Sequence, residues 1–116
     1  MSDGSKHYVG GAWVEPIEPA PLDIVNPATE EAFATVTLGG QRDVDRAVEA
    51  ARAAFPAYSA TTKPERTALL SRVVDEYEKR VDDIATTISR EMGAPITLSK
   101  TAQAPMGLTQ LRNTLA

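Results

Sequence analysis

The sequence predicts β-hairpins over residues 6–40 followed by about four α-helices over 41–116, without a parallel sheet of its own. Three observations predict this class. Short apolar runs punctuated by Gly-Gly and Asn-Pro fill the first third of the chain. Apolar residues recurring at steps of three and four fill the remainder. Strand–helix–strand alternation, the source of parallel sheets, does not occur.

The first apolar runs are His7–Val9 and Ala12–Val14, joined by Gly10-Gly11. Both central positions of a type I′ turn need positive φ, so this is a two-residue hairpin signal. Glu15–Pro21 holds three prolines and reads as an extended connector with few ladder donors. Asp23–Val25 reads as a strand and Ala32–Leu38 as its partner. Between them, Asn26-Pro27-Ala28-Thr29 is a turn, with Pro27 setting φ and Asn26 suited to the first position. Gly39-Gly40 ends the strand region.

The first helix is expected from about Arg42 to Phe55. Val44, Ala47, Val48, Ala51 and Phe55 form its apolar side, Asp43 and Asp45 lie near its positive end, and Pro56 stops it. A loop follows to Lys63. Thr62 is the expected N-cap of the next helix, with Pro64 in its first turn and Glu65 completing a capping box.

The dominant pattern runs through Leu70, Val74, Tyr77, Val81, Ile84, Ile88 and Met92, one side of a helical region that is expected to break near Lys79–Asp83. Gly93 supplies a left-handed C-cap and Pro95 bars extension. Each such side chain is worth about 1.5–3 kcal/mol when fully buried and nothing without a covering surface. A last helix begins near Thr97 or Ser99, with Leu98, Ala102, Met106, Leu111 and Leu115 as its apolar side and Pro105 kinking or restarting it. These helical stripes suit a sheet that the 116 residues do not contain.

Composition narrows the function classes. A chain 42% hydrophobic and 24% charged is globular, and with only 5% aromatics its core must come from Val, Leu, Ile and Ala. The net charge of −4 without a Lys/Arg cluster argues against a nucleic-acid partner. No apolar run is long enough for a membrane span, and the opening MSDGSKHYVGG lacks a secretory signal's basic and apolar regions. With no cysteine, these residues hold no disulfide, thiolate metal site or thiol nucleophile. A cytoplasmic setting fits.

The side chains capable of chemistry reduce to structural readings. His7 is the only histidine, so no second imidazole joins it in a metal site, and it reads as a surface residue. Asp82-Asp83 and Glu30-Glu31 are adjacent carboxylates that read as solvated positions, since neighbouring helical side chains diverge. No G-x-S-x-G elbow accompanies the serines. Gly10-Gly11 and Gly39-Gly40 lack the phosphate-cradle spacing and read as turns. No catalytic, cofactor-binding or metal residue is assigned.

The order of these segments carries a resemblance. Tyr8-Val9-Gly10-Gly11-Ala12-Trp13-Val14, then Ile24-Val25-Asn26-Pro27-Ala28-Thr29-Glu30-Glu31, resembles the opening of the NAD(P)-dependent aldehyde dehydrogenases. Asp43–Phe55, Pro64-Glu65-Arg66, Leu69-Leu70 and Glu91-Met92-Gly93-Ala94-Pro95 continue it in the family's order. The resemblance implies an α/β parent fold with a Rossmann-like cofactor domain, of which residues 1–116 are the N-terminal part. It also implies NAD or NADP as cofactor, an aldehyde substrate, a homo-oligomer, and partnership with the rest of its own polypeptide. The family's catalytic cysteine, general-base glutamate, oxyanion asparagine and cofactor-gripping residues all lie further along, so Asn26 is a turn residue and not the oxyanion donor. Some relatives bind a monovalent cation through backbone carbonyls near the Asn-Pro turn. That makes Ile24 and Val25 conceivable ligands, against the simpler reading of a strand end. A different class of reading is a freestanding helical module whose apolar stripe binds a partner protein.

Overall fold

The computed structural model describes residues 4–116. They form two compact units: the chain up to Val25 with Ala32–Ala60, and Asn26–Glu31 with Thr61–Ala116.

In the first unit, β1 (His7–Val9) pairs antiparallel with β2 (Ala12–Val14), placing His7 opposite Val14, Tyr8 opposite Trp13 and Val9 opposite Ala12. Gly10 and Gly11 both take positive φ (62° and 84°), which the two-residue turn demands and L side chains resist. The Tyr8 and Trp13 rings meet edge to face across the ladder at 5.2 Å. A second two-stranded sheet pairs β3 (Ala20–Asn26) with β4 (Glu31–Leu38). Its strands run longer than the sequence suggests, and β3 begins inside the proline-rich connector at Ala20. Pro21 is tolerable there because a two-stranded sheet has a free side on each strand.

Helix α1 (Gln41–Ser59) does not stop at Pro56 but carries it inside the last turn. Residues 51–60 are exposed, so the carbonyl that loses its donor to the proline faces solvent at little cost. The loop expected over Ala57–Lys63 is thereby cut to residues 60–62. The apolar side expected for this helix is present and uncovered: Val44, Val48 and Phe55 are 55%, 44% and 67% exposed.

In the second unit, α2 (Lys63–Glu78) starts as its capping box dictates. The Glu65 N–H donates to Thr62 Oγ1 at 3.4 Å, and the Thr62 N–H donates to Glu65 Oε2 at 2.7 Å. The helical region breaks between Glu78 and α3 (Val81–Met92), within the expected span. Gly93 caps α3 in the left-handed conformation (φ 68°), and its N–H donates to the Ser89 carbonyl at 3.0 Å. The last helix comprises α4 (Ile96–Leu98), a π-helical turn (Ser99–Gln103) and α5 (Ala104–Leu115).

The core of the second unit lies where α2, α3 and the last helix converge. Val74, Ala85, Ser99 and Ala104 are buried there. The rest of the dominant stripe is thinly sheltered: Leu70, Tyr77, Val81, Ile84 and Ile88 are half-buried, and Met92 is 66% exposed. On the last helix the expected apolar side is corrected. Leu98, Ala102 and Met106 are exposed, while Gln103, Gly107 and Leu108 turn inward along with Leu111 and Leu115. The π turn admits an extra residue, which shifts the phase of the stripe between Ala102 and Leu108. No helix of the described residues is long and apolar enough to cross a membrane.

Candidate functional site

A hydrogen-bonded polar cluster surrounds the start of α1. Asp43 is 8% exposed, and its carboxylate accepts three backbone N–H groups: Ile17 at 2.7 Å, Glu18 at 3.0 Å and Gly40 at 3.1 Å. The Ile17 bond is the largest of the influences that hold its carboxyl below the usual carboxylate range; the Glu18 and Gly40 bonds and the nearby His7 act in the same sense. Glu18 answers in the other direction, its Oε2 accepting the Arg42 N–H in the first turn of α1 at 3.1 Å. The proline-rich connector is thus strapped to the helix by two carboxylates.

His7 stands beside this cluster and is half-buried rather than on the open surface. Its Nε2 donates to the Thr37 carbonyl at 2.9 Å, which places the proton on Nε2. Among the described residues no three His, Asp or Glu side chains are grouped to hold a metal ion. Glu30 and Glu31 are both exposed, Glu30 in the turn with φ 59° and Glu31 opening β4. Asp82 and Asp83 lie exposed in the first turn of α3, with Asp82 paired to Lys100 at 3.3 Å.

Neither glycine pair cradles a phosphate. A Cβ on Gly39 would lie 2.7 Å from Asp43 Cβ and 2.8 Å from His7 Cε1, and one on Gly40 would lie 2.8 Å from Glu18 Cβ. That space is filled by the protein's own side chains, two of them carboxylates. Two amides at the start of α1, where a pyrophosphate would sit, are already engaged, Gly40 by Asp43 and Arg42 by Glu18. Gly10 and Gly11 border an open apolar groove on α1, lined by Tyr8, Val9, Ala47, Ala50, Ala51 and Ala54. It offers no cationic side chain to a dinucleotide. These residues do not fit a nicotinamide cofactor.

Asn26 does what its turn position predicts. Its Oδ1 accepts the Ala28 N–H at 2.9 Å, and its carbonyl accepts Thr29 and Glu30 at 3.3 and 2.8 Å. Ile24 and Val25 lie within β3, half-buried and exposed respectively. The residue most easily overlooked is Asp43. Its place near a helix start is legible, but nothing in the spacing reveals that it reaches back to Ile17 and Glu18.

The fold has close counterparts. It superposes on an aldehyde dehydrogenase from Bartonella henselae with a TM-score of 0.92 and 42% identity, covering 95% of this chain and 23% of that one. Aldehyde dehydrogenase C of Pseudomonas syringae, solved as a mutant with NAD+ and octanal, gives 0.91 and 40% over the same shares. A curated Staphylococcus aureus sequence bearing an aldehyde dehydrogenase name is 45% identical over 108 residues, 93% of this chain and 23% of its own length. The aldehyde dehydrogenase family model matches residues 13–115. The chain belongs to the aldehyde dehydrogenase family, corresponding to an N-terminal segment of its members, and spans about a quarter of the length of these relatives.

Proposed function

We propose that residues 1–116 are the N-terminal part of the cofactor-binding domain of an enzyme that oxidises an aldehyde to a carboxylic acid with NAD or NADP. Residues 6–40 supply the hairpins and residues 41–116 a helical layer. The catalytic and oligomerisation parts lie outside these residues. In this reading the parent enzyme is a cytoplasmic homo-oligomer with no nucleic-acid or membrane partner, and the segment alone is inactive.

The chemistry follows from the family resemblance. A cysteine thiolate adds to the aldehyde carbonyl, hydride leaves for the nicotinamide ring, and a glutamate-activated water releases the acid. The chain has no cysteine to supply the thiolate, and the carboxylates at the start of α1, Asp43 and Glu18, are spent on backbone N–H groups. The segment's own task is structural: to present the uncovered face of α1 and the thinly sheltered stripe of α3 to the remaining layers of the domain.

One observation carries the reading. An amphipathic helix with Val44, Val48 and Phe55 largely in solvent needs a covering layer, and relatives about four times longer have the chain length to provide one. NAD as cofactor and a simple aldehyde as substrate draw support from the Pseudomonas syringae relative crystallised with NAD+ and octanal. The test is to follow NADH or NADPH formation from a panel of aldehydes, using the complete polypeptide and residues 1–116 in parallel. Turnover is expected from the complete polypeptide only. A complete polypeptide that turns over no aldehyde with either cofactor would overturn the enzymatic reading and favour the interaction module.

A further inference from the structure

The last helix contains a feature that amphipathic periodicity does not supply. Across Ser99–Gln103 the helix widens to a π turn, and the Ala104 N–H donates to the Ser99 carbonyl five residues back instead of to Lys100. Pro105 follows at once. In an uninterrupted α-helix its ring would press on the Thr101 carbonyl four residues earlier. A widened turn moves that carbonyl aside.

The extra residue has a consequence downstream. One residue of phase rotates everything after it by about 100°, and this is what brings Gly107 beneath Tyr77. The fit there is tight. A Cβ on Gly107 would lie 2.9 Å from Tyr77 Cζ and 3.2 Å from Cε2, while the Tyr77 hydroxyl donates to the Ala104 carbonyl at 2.8 Å. In an unwidened helix the same place falls to Met106, whose side chain now stands 60% exposed. A methionine does not fit where even a methyl group collides.

We infer that Pro105 is the positioning residue that sets the register of the last helix, and that the π turn it imposes is what allows Gly107 and Tyr77 to pack. The Ser99–Gln103 side-chain hydrogen bond (3.0 Å) and the Tyr77–Ala104 bond fill a register already fixed by the proline.

The test uses the complete polypeptide that carries these residues, with crystal structures of Pro105→Ala and Tyr77→Phe and thermal midpoints for Met106→Gly in the wild-type and Pro105→Ala backgrounds. In Pro105→Ala the Ala104 N–H is expected to return to the Lys100 carbonyl and the midpoint to fall. Met106→Gly is then expected to raise the midpoint of Pro105→Ala while lowering that of the wild type, a reversal of sign that simple loss of packing would not produce. Should Pro105→Ala alone not fold, the Pro105→Ala/Met106→Gly double variant gives the same structural readout. Tyr77→Phe is expected to keep the π turn. A π turn that persists without Pro105, or that vanishes in Tyr77→Phe, would overturn the inference.

Discussion

Glu18 and Asp43 cap each other's segments. The Glu18 N–H donates to Asp43 Oδ2 at 3.0 Å, and the Glu18 carboxylate accepts the N–H of Arg42, the residue before Asp43, at 3.1 Å. The bonds run in opposite directions across 25 and 24 residues of sequence, so the connector and the start of α1 are ordered together. Each also satisfies backbone donors that proline-rich and helix-terminal geometry would otherwise leave unpaired.

This pairing makes stability depend on acid. Bonds from Ile17, Glu18 and Gly40 hold the Asp43 carboxyl below its usual range in the folded chain, so the unfolded chain takes up the proton first as pH falls. The contribution is fully present above the usual carboxylate pKa of about 3.9 and is lost as pH drops through the depressed folded value. Thermal midpoints of the complete polypeptide between pH 7 and about 3 are expected to fall less steeply at the acid end in Asp43→Asn than in the wild type. Identical slopes would show that Asp43 is not the responsible group.

Gly93 is constrained twice. Its φ of 68° is costly for an L side chain, by about 1–2 kcal/mol, and an added Cβ would lie 2.9 Å from Pro27 Cγ. Gly93→Ala is therefore expected to destabilise by about 2 kcal/mol or more in chemical denaturation. The penalty should shrink in a Pro27→Ala background, where only the backbone term remains. An equal penalty in both backgrounds would place Pro27 away from Gly93.

Thr62 caps α2 through the reciprocal bonds with Glu65. Thr62→Ala is expected to cost about 0.5–2 kcal/mol, and Thr62→Ser to restore most of it. Equilibrium unfolding of the three proteins checks the order.

These features differ in how legible they were. Gly10-Gly11, Asn26, the Thr62–Glu65 box and Gly93 were readable because each turn or cap is local and its residues fix their own φ or donate within a few positions. Helix α1 ran past Pro56 because a proline's lost bond is cheap where the carbonyl meets solvent, and exposure there is a tertiary property. The phase jump in the last helix escapes a 3.6-residue template, because Leu98, Ala102 and Met106 keep an unbroken four-residue step across the π turn although all three are exposed. The Asp43 strap was invisible because its partners lie about 25 residues away and present backbone alone.

The faces of α3 separate by substitution. Ile84 is half-buried on the stripe and Asp83 is exposed beside it. Ile84→Asp in the complete polypeptide is expected to cost several kcal/mol, about 2–7, and to lower soluble yield. Asp83→Ala is expected to change the thermal midpoint little. Wild-type yield and midpoint for Ile84→Asp would mean that the opposite face packs inward.

Calorimetry of residues 1–116 on their own, run with light scattering, probes the shortfall of cover most directly. With Phe55, Met92 and Met106 each at least 60% exposed, the isolated segment is expected to associate or to melt broadly without a cooperative peak. A sharp two-state transition from a monodisperse monomer would contradict the account, because these helices would then need no layer beyond their own.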